Sequence, residues 1–249
     1  MNSTKSNLAN KSKNKKSIFK NNNLSQLFKL ISEKRGFFAL ILATLVAQLS
    51  ITYYVSENVK IEDEKNETKD TNKFNGKLIG AYIVALVLLL ILAFITMPPW
   101  LKFILFSLFS GAFGVILGYR NSGLDPNIIK SALVGTGSIF VAMFAFGVAL
   151  IASGIKLSLT FGLGLLFALF FLIILSIVQF FIAESSFLKK LLVIGSLILF
   201  SLYIMFDTNS ILQRNYNGDF ITASLDYYLD ITNIFSSLLY VNELGDLGD

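Results

Sequence analysis

The sequence of 249 residues contains no cysteine and no histidine. Without cysteine, disulfides, thiolate nucleophiles and cysteine-based metal sites are excluded. Without histidine, Ser-His triads, the usual general base and most transition-metal sites are excluded, and so are rhomboid-type and metal-dependent intramembrane proteases. We therefore expect neither enzymatic activity nor a bound cofactor.

Charged residues are scarce, at 15% of the chain, while 54% of the residues are hydrophobic. Soluble domains of this size have roughly a quarter charged residues. The mean hydropathy of +0.67 is too high for a surface that faces water. The apolar residues fall in blocks of about 20, which is the length an α-helix needs to cross a hydrocarbon core about 30 Å thick. The sequence thus predicts an all-α membrane protein embedded in a lipid bilayer.

Seven apolar segments predict seven transmembrane helices. They lie near residues 36–56, 78–97, 103–119, 131–152, 157–181, 188–206 and 222–241. The third is the shortest, and the fifth is long enough to tilt. All three prolines lie between segments, where they break no helix.

The ends of the chain differ in charge. Residues 1–35 contain nine lysines and arginines against the single acid Glu33, which predicts a disordered basic arm. Residues 36–241 form the predicted membrane domain, and residues 242–249 form a short acidic tail. Because no short apolar region lies near the start, we expect no cleavable signal peptide. The basic charge does not indicate nucleic-acid binding, since no fold that reads bases accompanies it.

The distribution of cations predicts the orientation in the membrane. With the N-terminus in the cytoplasm, twelve lysines and arginines lie inside and nine outside, with the excess before the first helix, where it usually counts most. The 57–77 loop has six acids and five lysines and can therefore be translocated. Seven spans then place the C-terminus outside. Abundant lysine and asparagine fit an AT-rich genome, so we expect a bacterial plasma membrane.

Small residues recur four positions apart in two segments, as in Ser110, Gly114 and Gly118 and in Ser131 and Gly135. This spacing places small side chains on one helix face and permits close helix contacts.

Polar residues follow one face of the seventh segment. The stripe is Thr222, Asp226, Asp230, Asn233 and Ser237, at steps of four, four, three and four. At 3.6 residues per turn these side chains share a face, and such a face cannot contact lipid. We therefore expect the seventh helix to be buried, with its stripe toward a wet or paired interior.

Asp207 ends the sixth predicted segment, and the antiparallel order of the last two helices allows it to meet Asp230. Two carboxylates in a poorly hydrated interior cannot both ionise cheaply, so the pair is expected to titrate as a unit and to hold a proton or a hard cation. Calcium prefers six to eight oxygens, of which Asp226, Asn233, water or carbonyls would have to supply several. Alternatively, Asp207 reaches the membrane interface or caps a turn, and Asp230 makes a structural hydrogen bond.

Two motifs resemble the Bax inhibitor-1 family, in a bacterial-type form. Residues 202–208 read LYIMFDT, and residues 223–235 read ASLDYYLDITNIF. The resemblance implies six helices that surround a central seventh helix. It also implies a pH-sensitive calcium leak controlled by an aspartate pair, which maps to Asp207 and Asp230, and association of bacterial members with a membrane-bound protease.

One stretch departs from the family pattern. Some bacterial members have an arginine near the end of span two that contacts the aspartate pair. Residues 95–102 here read ITMPPWLK and contain none. The resemblance therefore does not extend to an arginine-held closed state.

Two hypotheses on function remain open from the sequence. The first is a calcium leak in which protonation of the aspartate pair shifts the helix bundle between two states. The second is a membrane-embedded regulator of a protease or of a stress or cell-death pathway, with the basic arm and the 57–77 loop as contact surfaces. A retinal-type photoreceptor is excluded because the seventh segment lacks a lysine.

Overall fold

The computed structural model describes Ser25, Lys29 and residues 31–59, 76–181, 186–213 and 216–246. Within these ranges every regular element is helical. The helices are α1 (Ile31–Val59), α2 (Gly76–Phe94), α3 (Pro99–Asn121), α4 (Pro126–Ala152), α5 (Leu159–Phe181), α6 (Ser186–Gln213) and α7 (Phe220–Asp246), and a 3-10 turn at Tyr216–Gly218 precedes α7. The parts of the chain outside this description are residues 1–24, 26–28, 30, 60–75, 182–185, 214–215 and 247–249.

In the described ranges, six helices, α1 to α6, are long and apolar enough to cross a membrane. The protein is therefore an integral membrane protein, as the composition predicts. α7 has 27 residues, which is long enough to span, but its polar stripe makes it less apolar than the others. That α7 crosses the membrane stays a prediction.

Most helix ends differ from the predicted ends by a few residues, but α6 differs more. It continues to Gln213, seven residues beyond the predicted end. The prediction that Asp207 closes the sixth helix is therefore wrong, because the polar residues that follow it bond to neighbouring elements and sustain the helix. Pro99 and Pro126 are the first residues of α3 and α4, where a missing N–H costs nothing.

Two ends of the bundle can be named after the ends of α3. At the Lys102 end, the Lys34 ammonium of α1 donates to the Ile211 carbonyl near the end of α6, at 2.7 Å. At the Arg120 end, the Arg120 guanidinium donates to the Ser236 carbonyl of α7, at 2.8 Å. Successive helices run in opposite directions, so each helix extends from one of these two ends of the bundle to the other.

The last helix lies against several others. α7 packs mainly on α6 and α4 and also touches α3, and the Ser224 hydroxyl donates to the Ile41 carbonyl of α1 at 2.9 Å. The rings of Tyr227 and Tyr228 are fully buried. Tyr228 contacts three phenylalanines of α3, and Tyr227 contacts two of α4. α2 packs on α3, and α5 packs on α6. A complete ring of six helices around α7 stays a prediction.

Glycines set the closest helix contacts. A Cβ on Gly114 or Gly118 of α3 would lie 2.7 Å from a carbonyl oxygen of α1, so the predicted close contact of small residues is confirmed for this helix. A Cβ on Gly135 would meet only the end of the Leu238 side chain, and Ser131 is exposed. Gly147 of α4 lies equally close to α6, which brings α4 against the turn that contains Asp207.

Candidate functional site

Asp207 of α6 and Asp230 of α7 meet inside the bundle. Only 7% of Asp207 and 4% of Asp230 is exposed. Their carboxyl groups lie within hydrogen-bonding reach of each other. The structure thus brings together the two side chains that the sequence analysis expects to meet.

A hydrogen bond between the carboxyls of Asp207 and Asp230 would require a proton. The Oδ2 atom of Asp230 is buried and has no donor among the described residues. Ionised carboxylates only accept hydrogen bonds, so one carboxyl could donate to the other only when it is protonated. The arrangement can therefore hold one proton in a poorly hydrated environment.

Hydroxyl groups and aromatic rings enclose the pair. The hydroxyls of Thr208 and Tyr227 are hydrogen-bonded at 2.8 Å, directly beside Asp207 along α6. Thr208 also packs where a Cβ on Gly147 would lie. Because Thr208 and Tyr227 are fully buried, this contact fixes α6 against α7 and positions the carboxyl of Asp207.

Asp226 lies one turn before Asp230 on α7, toward the Lys102 end. The Tyr216 hydroxyl donates to its Oδ2 atom at 3.5 Å, so the turn before α7 covers this carboxyl. Tyr216 adopts a left-handed conformation with φ of 40°, which is uncommon for a residue with a side chain. Asp226 is within electrostatic reach of Asp207 on one side and of Lys102 on the other.

A lysine that the sequence analysis only counted as a cytoplasmic cation is buried at the Lys102 end. The Lys102 ammonium forms an ion pair with Asp219 at 2.5 Å and also donates to the Thr222 hydroxyl. Asp219 caps α7, since its Oδ1 accepts from the Thr222 backbone N–H at 2.9 Å. Burial raises the pKa of Asp219, but the hydrogen bonds from Lys102 and Thr222 outweigh this effect and lower the pKa below its ordinary value.

The cap could have been recognised in the sequence, because an aspartate directly before a helical segment is a typical N-cap. No local signal identifies its partner, which is 117 positions away. Lys102 ends the 95–102 stretch that contains no arginine, and its ammonium pairs with Asp219.

Polar residues after Asp207 hold the α4–α5 connection, a role that the sequence analysis missed. Asn209 is fully buried; its side-chain oxygen accepts from the Leu157 N–H at 2.9 Å, and its amide donates to the Ile155 carbonyl at 3.2 Å. Gln213 donates to the Leu157 carbonyl at 3.2 Å. These bonds explain why α6 remains helical beyond its apolar part.

Asn233 lies apart from the pair, one turn nearer the Arg120 end. Its amide donates to the Leu229 carbonyl at 2.7 Å, within the helix. Together with Ser237 it lines a cavity of about 380 Å³ between the ends of α3, α5, α6 and α7. The predicted site residues thus form a buried pair, one adjacent acid and one cavity residue.

The calcium ligands expected from the sequence are not gathered into one cluster. Among the described residues, no group of three or more acidic side chains is close enough to hold a metal ion together. Asp207 and Asp230 supply carboxylate oxygens only as a pair, and calcium prefers six to eight. The assignment of these two residues to calcium stays a prediction.

Comparison with known proteins identifies the family to which this chain is similar. The family model described as the inhibitor of apoptosis-promoting Bax1 matches residues 34–246. The chain is 30% identical over 141 residues to Bax inhibitor 1 of Schizosaccharomyces pombe. This alignment covers 56% of this chain and 51% of that protein. It is 30% identical over 141 residues to an uncharacterized membrane protein of Vibrio cholerae, covering 56% and 60% of the two chains.

A BI1-like protein of Arabidopsis thaliana is 26% identical over 213 residues, which is 85% of this chain and 81% of that protein. The alignments with the Schizosaccharomyces and Vibrio proteins span only about half to three fifths of their lengths. The family match, in contrast, extends from the first turn of α1 to the last residue of α7 and includes both carboxyls of the buried pair. The chain therefore belongs to the Bax inhibitor family of membrane proteins.

Proposed function

We propose that this protein is a pH-sensitive calcium leak in a bacterial plasma membrane, controlled by Asp207 and Asp230. The proposal assigns no catalytic step to the chain. In it, α7 crosses the membrane within the bundle, and the ionisation of the pair sets the force between α6 and α7.

The single observation that carries the proposal is the meeting of the two buried carboxyls of Asp207 and Asp230. With one proton the carboxyls attract through a hydrogen bond, and without it two negative charges face each other. Because like charges repel strongly in a poorly hydrated interior, loss of the proton favours a different packing of α6 against α7. The bundle then has two states that differ in proton content.

The polar stripe of α7 supports a route for the cation. From Thr222 to Ser237 it extends over about 22 Å at 1.5 Å per residue, which is most of the hydrocarbon thickness. Asp226 lies on the Lys102 side of the pair, and Asn233 lies on the other side, at the wall of the large cavity. A hard cation that moves along this face meets oxygen atoms at each turn.

Calcium flux through the purified full chain in liposomes, measured across a pH series, tests the proposal. We expect Asp230→Asn to abolish the pH dependence, because an amide of nearly the same shape does not ionise. Asp207→Asn is expected to do the same, since the pair titrates as a unit.

Asp125→Asn is the matched control. Asp125 is exposed and caps α4 by accepting from the Asn127 N–H at 2.7 Å, and asparagine caps helices as well as aspartate does. This variant should retain the full pH dependence. A pH dependence that persists unchanged in Asp230→Asn would remove the basis of the proposal.

A second candidate function is a membrane-embedded regulator of a protease or a cell-death pathway that does not require transport. It is favoured by the names of relatives, which include Bax inhibitor 1 and, with 28% identity over 122 residues, the Golgi anti-apoptotic protein of vaccinia virus. Deletion of residues 1–23 separates the two candidates. Loss of the cellular phenotype with unchanged flux supports regulation, whereas loss of the phenotype only together with flux supports the leak.

A further inference from the structure

A cleft between α1 and α4 opens toward the surrounding lipid. It has a volume of about 160 Å³. Its outer edges are Tyr53 of α1 and Leu133 of α4, which are 65% and 62% exposed. Its deeper walls come from α3 and α7, where Leu117 and Thr232 are buried. Because α1 and α4 are both apolar enough to cross the membrane, a gap between their exposed sides faces lipid.

The packing of α1 explains why the cleft forms. In its first half α1 touches α4, where the rings of Phe38 and Phe144 lie 6.0 Å apart. In its second half α1 lies against α3, because Gly114 and Gly118 allow the two backbones to approach closely. The space between the second half of α1 and the first half of α4 therefore remains open.

The interior of the cleft is apolar in effect. Leu49, Leu117 and Ile231 contribute aliphatic walls. The hydroxyls that line the cleft each donate to a backbone carbonyl, and they belong to Thr52, Ser56, Thr136 and Thr232. An apolar cavity of about 150 Å³ holds a benzene-sized group, so the cleft has room for a hydrocarbon segment of about six carbons.

Two hydrogen-bond acceptors line the cleft near the ends of α1 and α3. Asn121 is only 4% exposed, and its Oδ1 atom has no hydrogen-bond partner among the described residues. Glu57 is the one charged side chain among the described residues of the lining. Carbonyl and carboxylate oxygens accept hydrogen bonds, and a buried acceptor without a donor is unfavourable. An occupant with N–H donors and a positive charge would therefore match both groups.

These acceptors lie near the edge of the hydrocarbon region. α3 has 23 residues and is therefore about 35 Å long, slightly more than the hydrocarbon thickness, and Asn121 is its last residue. Leu49 is eight residues before Glu57 on α1 and thus about 12 Å deeper. The cleft has acceptors at its outer end and apolar walls further in, which is the order of groups in a lipid.

We infer that this cleft binds one membrane lipid with a primary ammonium headgroup, as in phosphatidylethanolamine. The ammonium donates to the Asn121 Oδ1 atom and pairs with the Glu57 carboxylate. A segment of acyl chain fills the apolar part and leaves between α1 and α4. The α7 residues in the cleft are not part of the polar stripe, so this site is separate from the Asp207–Asp230 pair and its test requires no flux.

Three lipids with the same acyl chains are the probes. Phosphatidylethanolamine and phosphatidylcholine have the same charge, but methyl groups replace the N–H donors in phosphatidylcholine. Phosphatidylglycerol has hydroxyl donors and a net negative charge, which Glu57 repels. The full chain is released from nanodiscs that contain equal amounts of the three lipids and is measured by native mass spectrometry. We expect the wild type to retain phosphatidylethanolamine in preference to the other two.

Variants at the two acceptors test the headgroup contacts. Asn121→Leu and Glu57→Gln should each weaken the retention of phosphatidylethanolamine about threefold to tenfold, as expected for the loss of one hydrogen bond or charge contact. Asp125→Asn is the matched control. Asp125 is an exposed acid at the same end of the bundle that does not line the cleft, so this variant should retain the lipid as the wild type does.

A second pair of variants tests the acyl-chain part without changing the acceptors. Leu133→Trp places a larger side chain at the edge of the cleft and should weaken the retention of phosphatidylethanolamine by a similar factor. Val134→Trp is its control, since Val134 is also 62% exposed but does not line the cleft. Both positions are on the outer surface of α4, so neither change disturbs the buried packing.

Several results would overturn the inference. Equal retention of phosphatidylethanolamine and phosphatidylcholine by the wild type would remove the role of the N–H donors. A preference for phosphatidylglycerol would contradict the ammonium headgroup. Unchanged retention in Leu133→Trp, or equal weakening in Val134→Trp, would place the bound lipid outside the cleft.

Discussion

Lys102 lies in an environment that differs from the one that the sequence predicts. The sequence places it directly before the third apolar segment and predicts that it lies on the cytoplasmic side. Lys102 is instead buried against Asp219, so a cation of α3 pairs with the carboxylate that caps α7. The ion pair joins the start of α7 to the start of α3, and Asp219 lies about two turns before Asp226. Lys102 therefore stabilises α7, the helix that contains Asp230, without contacting the Asp207–Asp230 pair.

The sign of the pH dependence follows from the lowered pKa of Asp219. Because the folded pKa lies below the ordinary value of 3.8, the contribution of this carboxylate to stability is fully present above that value and is lost as the pH falls through the folded pKa. We expect Asp219→Asn to lower the free energy of unfolding at neutral pH by about 1 kcal/mol or less, since the side chain is partly exposed. The difference from the wild type should disappear in strong acid, as measured by thermal unfolding in detergent across a pH series.

Asp219→Ala separates the cap from the charge. Asparagine still accepts the Thr222 N–H, whereas alanine cannot, so the alanine variant should lose about 1 kcal/mol more. That additional loss should not vary with pH. A constant gap between wild type and Asp219→Asn at every pH would contradict the electrostatic account.

At the scale of helices, close packing of α4 on α6 depends on the absence of a side chain at Gly147. A Cβ there would lie 2.6 Å from the Met205 carbonyl oxygen and 2.8 Å from the Thr208 Cβ. A backbone atom cannot rotate away, so we expect Gly147→Ala to cost about 1–3 kcal/mol of unfolding free energy. Thermal unfolding of the purified protein in detergent measures this loss.

Gly137→Ala is the control on the same helix. A Cβ at Gly137 would meet no atom within 4 Å, and alanine favours the helix more than glycine does. This variant should be as stable as the wild type or slightly more stable. If both alanine variants unfolded at the same temperature, the close contact would have no energetic role.

The helices themselves could be predicted because apolar blocks of about 20 residues have few alternatives in a membrane protein. Their ends could not be predicted equally well. Hydropathy falls at Asp207, but Asn209 and Gln213 continue α6 by bonding to the α4–α5 connection, which is more than 50 positions earlier. The meeting of Asp207 with Asp230 followed from helix direction and polar spacing. The Lys102–Asp219 pair did not, because nothing local in the sequence relates the starts of α3 and α7.

Because successive helices run in opposite directions, the whole bundle has only two possible orientations in the membrane. The starts of α1, α3 and α7 and the end of α6 share the Lys102 end. The cation distribution predicts that this end faces the cytoplasm. The choice determines from which side protons reach Asp226 and the pair.

Single cysteines can report the orientation without background, because the chain has none of its own. We expect a membrane-impermeant maleimide added to intact cells to label Asn127→Cys at the start of α4. Ser153→Cys, just after the end of α4, should react only after the membrane is opened. Both native side chains are exposed, so burial within the protein does not account for such a difference. The opposite pattern would place the Lys102 end outside and contradict the cation distribution. Labelling of both positions in intact cells would contradict α4 as a span, since the residues at its two ends would then face the same side.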